Sequence, residues 1–384
     1  MRNIRKVGCG MNITLDSNFK KRLLPMGMKQ QPFQIDLFTA STDGNAGYSN
    51  LLNFWDQVPL YFSDRNNSTN TRTLDFLVKN GKIQEQWRMQ ASPAQFLSGS
   101  HQAEIIRFPG RLEELVMASL IDIAASEAVM VGENIGVPCY LGDLMRTMSS
   151  NGRARCSYSE LNQAIQVLNK AKYTLIGPTN QGKRLQWDFS QISEMVSHQD
   201  ESAPQDSRIL FIFNRLLTKQ ILELQLRLYN FDRFKKFNSS ASRPVYKRLC
   251  LRFLQAATDE SYTIALSTVR VLAGLSTPDD MSIAKRRKPV ISCFEELIKE
   301  GVLVRYELTD TTKERMTTGM RRKLRTIDEI YKLYPTQRFA DEQKKASAII
   351  NDIRTKWETA QSLDASKLTD SERTLILNKM PICR

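Results

Sequence analysis

The chain has 384 residues, enough for two or three domains, and a hydrophobic fraction of 41% supports buried cores and excludes a mainly disordered protein. Lys and Arg number 55 against 41 Asp and Glu, a net charge of +14, which points to a polyanionic partner. Six scattered cysteines without a C-x-x-C pair suit a reducing cytoplasm, and two lone histidines, His101 and His198, exclude a His-pair metal site.

Residues 1–31 hold seven Lys/Arg and one Asp with little periodicity, so a basic, loosely ordered arm is expected there. No apolar stretch follows Arg2, Arg5 and Lys6, which argues against a signal peptide. An aromatic-rich stretch at 51–62 can anchor a core. Asn80-Gly81 then separates two β-rich runs, a hairpin signal because a type I′ turn needs positive φ at both central residues. The segment 103–107 reads as a strand, and after Pro109-Gly110 the residues Leu112, Leu115, Val116, Leu120 and Ile123 recur at helical spacing. Glu113, Glu114, Asp122 and Glu127 make this stretch too polar to span a membrane, so no membrane partner is expected.

A short extended piece at 137–141 and a short helix at 142–150 follow, stopped by Asn151-Gly152. Ser157 can cap the next helix with Glu160 at its third position, over a buried stripe of Leu161, Ile165 and Leu168. Then come a strand, a glycine turn and a second alternating run, "RLQWDF". Helix, short strand, helix, helix, strand, turn, strand is the order of a winged helix, a helix-turn-helix variant whose terminal hairpin is the wing. Residues 191–207 are polar and patternless and read as a linker.

The same order returns. A strand enters a helix at 208–224, and a basic helix at 240–257 buries Val245, Leu249, Leu251 and Phe253. A short strand follows at 261–266, Ser267 caps a helix, and Pro289 opens a helix that runs into a strand by 308. The stretch 311–325 is basic and reads as the second wing or its exit, and 338–360 is a polar helix with a thin apolar stripe suited to docking. The expected fold is α+β, mainly helical, with two tandem winged-helix domains. Their bounds are a basic arm at 1–31, a first domain with a hairpin extension at 32–190, a linker at 191–207, a second domain at 208–310 and a helical tail at 311–384.

One motif points elsewhere. Gly177, Gly182 and Lys183 form G-x-x-x-x-G-K, the core of a phosphate-cradling P-loop. A working P-loop also needs Ser or Thr after the lysine and a helix beyond it, but position 184 is Arg and residues 184–189 alternate like a strand. A nucleotide-dependent or nicking replication enzyme is therefore the weakest reading, and no cofactor and no catalysis are expected. As a wing tip the segment offers Lys183 and Arg184 to nucleic-acid phosphates.

In a helix-turn-helix the second helix enters the major groove. In the second domain Lys285, Arg286, Arg287 and Lys288 precede Pro289, with Ser292 one turn on; arginine can take guanine edges bidentately, and lysine mainly neutralises phosphate. Both arginines are expected to be exposed. From Arg215 to Arg252 stand ten Lys/Arg and two acids, among them Arg233, Lys235, Lys236, Arg243, Lys247, Arg248 and Arg252, suited to backbone contacts with a duplex. The equivalent first-domain helix offers Arg153, Arg155, Asn162, Gln163 and Gln166.

The ordered motifs Asn214 to Thr218, Leu226 to Asp232, Lys247-Arg248-Leu249 and Tyr262 to Thr268 resemble bacterial plasmid replication initiators of the replication initiator protein A type. The resemblance spans about residues 208–340, and the family's first-domain signature is not recognisable around 90–135. It implies a tandem winged-helix protein that binds repeated origin sites (iterons) in double-stranded DNA, helps open the duplex, recruits the host replicative helicase and initiator proteins, and dimerises. A tandem winged-helix transcriptional repressor fits the size and duplication equally well.

Overall fold

The computed structural model describes residues 47–362, apart from 64–69, 81–82, 99–102, 151, 153, 179–183, 199–201, 224–225, 254–259, 276–280 and 319–320. The expected N-terminal arm, the wing-tip turn with Lys183, His101 and Arg153 lie outside the described residues.

The first half begins with β1 (Tyr48–Leu52), and β2 (Arg72–Asn80) and β3 (Ile83–Ser92) then form the hairpin that Asn80-Gly81 announced, in register Asn80↔Ile83. A two-stranded pair, β4 (Ala94–Ser98) and β5 (Ala103–Arg107), leads into helix α1 (Arg111–Glu127). Residues 113–121 of α1 are all buried, as expected of a helix enclosed on every side. Its buried Glu113 is not left unpaired, because Arg107 and the Gly110 N–H both donate to it, at 2.7 Å each. β6 (Val129–Val131), β7 (Asn134–Tyr140) and α2 (Leu141–Met148) follow. Helix α3 (Tyr158–Lys170) opens with the expected reciprocal cap: the Ser157 hydroxyl accepts the Glu160 N–H at 3.2 Å, and the Glu160 carboxylate accepts the Ser157 N–H at 2.7 Å. β8 (Lys172–Pro178) and β9 (Arg184–Phe189) then pair as the wing, in a sheet ordered β2-β3-β8-β9.

The second half is built on α6 (Ser242–Arg252), β13 (Tyr262–Ala265), α7 (Leu266–Leu272), α8 (Ile283–Lys299), β14 (Leu303–Thr318) and β15 (Arg321–Pro335), with the sheet ordered β13-β15-β14. This is the helix, strand, helix, helix, hairpin order of a winged helix.

Several expectations need correction. Strands are as plentiful as helices, so the chain is α+β but not mainly helical. The supposed linker contains β10 (Ile192–His198), which pairs with β11 (Arg208–Phe213) from Ile192↔Phe213 to His198↔Arg208. β11 also pairs with β7 before the chain enters α4 (Arg215–Leu222), so the strand expected to open the second domain completes a sheet of the first. β1 crosses in the other direction and pairs with β12 (Leu226–Asn230), and one cluster of buried residues runs from Leu51 to Ile350. Exposed polar residues hid the β10 strand signal, since Ser193, Glu194, Ser197 and His198 all face solvent. The expected boundary at 310 falls inside β14; the hairpin runs to Pro335, followed by α9 (Gln337–Ser362).

Two capping expectations also change. Pro289 sits inside α8, which starts six residues earlier because the Ser282 side chain accepts the Lys285 N–H. Ser267 lies inside α7 rather than before it, and the cap comes from Asp328 of β15, whose carboxylate accepts the Ser267 N–H at 3.0 Å and hydroxyl at 2.6 Å.

Candidate nucleic-acid interface

On α8 the side chains divide cleanly. Val290, Cys293, Phe294 and Leu297 are buried, while Lys285, Lys288, Ser292, Glu295 and Lys299 are exposed at alternating spacings of three and four, one continuous solvent stripe. The five expected second-domain readers therefore fall into two groups. Lys285, Lys288 and Ser292 are presented to solvent. Arg286 is half-buried, and its carbonyl accepts from Arg270 Nη1 at 3.3 Å. Arg287, expected to be exposed, is bound by the carboxylate of Glu329 on β15 through Nε at 2.9 Å and through Nη2, which raises its pKa.

Beside α8 projects the wing. β13 supports β15 only as far as Ile330, so the nine residues Arg321–Glu329 and their β14 partners form a two-stranded ribbon about 30 Å long at about 3.3 Å per residue. Its strands carry Lys313, Arg315, Arg321, Arg322, Lys323 and Arg325 with Glu314 as the one acid between 313 and 325. Placing cations on a protruding hairpin next to an exposed helical stripe is what a groove and its flanking phosphates require.

The basic stretch between 215 and 252 behaves otherwise. Arg243 is buried; its Nη1 donates to the Arg111 carbonyl at 2.8 Å, and burial pushes its pKa down to about 10. Lys247 is buried between Asp56 at 2.9 Å and Glu114 at 3.1 Å; burial lowers its pKa, and the two carboxylates more than reverse that. Arg252 Nη2 donates to Gln57 Oε1 at 2.7 Å and to the Leu77 carbonyl at 3.0 Å. Arg233, in α5 (Phe231–Lys236), is buried in a bidentate pair with Glu342 of α9 at 2.6 and 2.9 Å. Lys235 pairs with Asp232 at 2.9 Å over the Phe231 ring, and Arg248 is half-buried with Nε donating to the Tyr262 hydroxyl at 2.8 Å. Expected as phosphate contacts, Arg233, Arg243 and Lys247 instead lock the two halves and α9 together, and of the seven expected contacts in this stretch Lys236 alone is exposed.

In the first half Arg155 is exposed and donates to the Lys235 carbonyl at 2.6 Å, while Asn162, Gln163 and Gln166 lie half-buried along α3. Arg184 is exposed at the start of β9. Gly177 has a packing role: a Cβ there would collide with the Trp87 indole. With a strand rather than a helix after the turn, the P-loop pattern finds no helix N-terminus to meet a phosphate. Among the described residues no group of His, Cys, Asp and Glu could hold a metal ion, and no helix is long and apolar enough to cross a membrane.

Sequence reasoning missed the residues that act from a distance, namely Asp56, Glu114, Asp328, Glu329 and Glu342. Carboxylates far apart in the chain carry no local pattern that marks a partner.

No protein-family model and no curated protein matches this chain. Among solved structures it is similar to domains 2 and 3 of RctB, at 8% identity and a TM-score of 0.41 over 74% of this chain and 96% of that one. It is also similar to the Pi initiator protein in complex with iteron DNA, at 12% identity and a TM-score of 0.38 over 59% and 93%. Both likenesses are too loose to assign a fold.

Proposed function

We propose that this protein binds double-stranded DNA in a sequence-dependent way through α8 and the β14–β15 wing, and that it serves as a replication initiator acting at repeated origin sites. The observation that carries the binding part is the exposed Lys285–Lys288–Ser292 stripe of α8 beside a projecting basic ribbon, in a chain of net charge +14. Lysines neutralise phosphate, and Ser292 is short enough to accept or donate at a base edge. The first-half helix α3, with its amide-rich face, supplies a second and less charged contact. Initiation at repeated origin sites, with recruitment of the replicative helicase, is supported by the ordered motifs from Asn214 to Thr268 that resemble plasmid initiators.

The test is selection of genomic fragments by the full chain at moderate salt, followed by sequencing. Short direct repeats beside its own gene, able to drive replication of a linked marker, are the expected result. Enrichment of a single operator without origin activity points to a repressor, and retention without sequence preference refutes recognition by α8.

A further inference from the structure

At the root of the wing lies an arrangement that the solvent stripe of α8 does not use. Glu329 is buried with 0% exposure, a carboxylate in a domain that presents cations. It accepts from Arg287 Nε at 2.9 Å, from Arg287 Nη2 and from the Tyr331 hydroxyl at 2.6 Å. Its neighbour Asp328 holds Ser267 of α7. The Tyr331 ring meets Phe294 of α8 and Tyr306 of β14, with centroids 5.3 and 6.3 Å apart. Residues 328–331 of one strand thus tie down both helices of the helix-turn-helix and the other wing strand. They do so at the rung where β13 stops supporting the ribbon, Ala265↔Ile330. A free two-stranded ribbon is marginal by itself, and register shifts between Leu308 and Asp310 and between Thr312 and Lys313 add local twist at this root.

We propose that Arg287, Glu329 and Asp328 are positioning residues: together they fix the angle between α8 and the wing, so that both reach one stretch of duplex at once. Arg287 on this view does not read bases. The Arg287 side chain is 43% exposed, but turning its guanidinium toward DNA would break a bidentate pair and leave the buried Glu329 carboxylate without its cation. The inference rests on the DNA-binding reading and specifies which residues set its geometry.

Affinities for the selected site and for random duplex would be measured across a salt series with wild type, E329Q, R287A, R287K and the double variant E329Q/R287A. A clamp predicts that E329Q lowers selected-site affinity about tenfold while random-duplex affinity holds or rises. R287A should lose a similar amount, the double variant should be no worse than either single one, and R287K, a charge without the fork, should not rescue. If E329Q instead binds the selected site as well as wild type and only R287A falls, Arg287 is a reader and the clamp is wrong. Should these variants melt far below wild type, D328N, which removes the α7 cap and leaves the Arg287 pair, carries the same comparison. Spin labels at K299C and K313C, with Cys9, Cys156 and Cys383 replaced, give a readout independent of DNA. E329Q should broaden the helix-to-wing distance distribution, and an unchanged distribution overturns the clamp. Absence of sequence preference in wild type, by contrast, refutes recognition by α8 and leaves this distance measurement standing.

Discussion

Replacing Lys247 with Met separates a structural cation from a DNA-contacting one. The ammonium lies 2.9 Å from Asp56 and 3.1 Å from Glu114, with all three side chains no more than 8% exposed. Asp56 comes from the N-terminal segment, Glu114 from α1 and Lys247 from α6, so the triad joins the two halves at one point. Met keeps most of the volume and removes the charge, leaving two carboxylates facing each other in a desolvated site. Removing one partner of a buried pair costs about 3–5 kcal/mol, and with two acids orphaned the upper end is expected. In urea, with a slope of order 2–3 kcal/mol per molar, the midpoint should fall by roughly 2 M. Equilibrium denaturation followed by tryptophan fluorescence measures this, with duplex affinity measured on the same samples. A surface phosphate contact predicts the reverse pattern: an unchanged midpoint and a salt slope smaller by about 0.9. That outcome would refute the assignment of Lys247 to the core and the shared core it implies.

The pair K285A/K288A should leave the melting temperature within a degree or two, because both side chains are exposed, while duplex affinity falls and its salt slope shrinks by at most about two units. G177A forces a methyl group into the Trp87 ring and should cost about 1–3 kcal/mol, with a shift in tryptophan emission as the indole moves; unchanged stability would mean that Trp87 has room to retreat. Asp122 is raised from 3.8 to about 6, mainly by burial, so its ionisation opposes folding. The penalty is absent below about pH 4, grows between pH 4 and 6 and is constant above. D122N should therefore stabilise the protein at pH 7 by at most about 3 kcal/mol, from roughly two units at about 1.4 kcal/mol each, and make no difference near pH 3.5. Denaturation midpoints at the two pH values decide it.

The local elements were legible in the order of residues alone. Periodicity set α1, Ser157 and Glu160 set the start of α3, and the alternating run after Gly182 set β9, because each signal is read by neighbours three or four residues away or two residues apart. The repeated order of elements followed from the same short-range rules. Partner choice did not. Which strands pair is decided by what each face can bury, so β11 joined β7 and β1 crossed to β12 despite lying in opposite halves of the chain. Cation density was equally silent about destination. Arg233, Lys247 and Arg287 look the same in sequence as Lys285 and Lys288, and only the folded chain brings Glu342 to the first, Asp56 and Glu114 to the second and Glu329 to the third. A charge that meets a carboxylate in a low-dielectric interior becomes part of the scaffold, and one left in water stays available for a phosphate; that difference is set by distances the linear sequence does not encode.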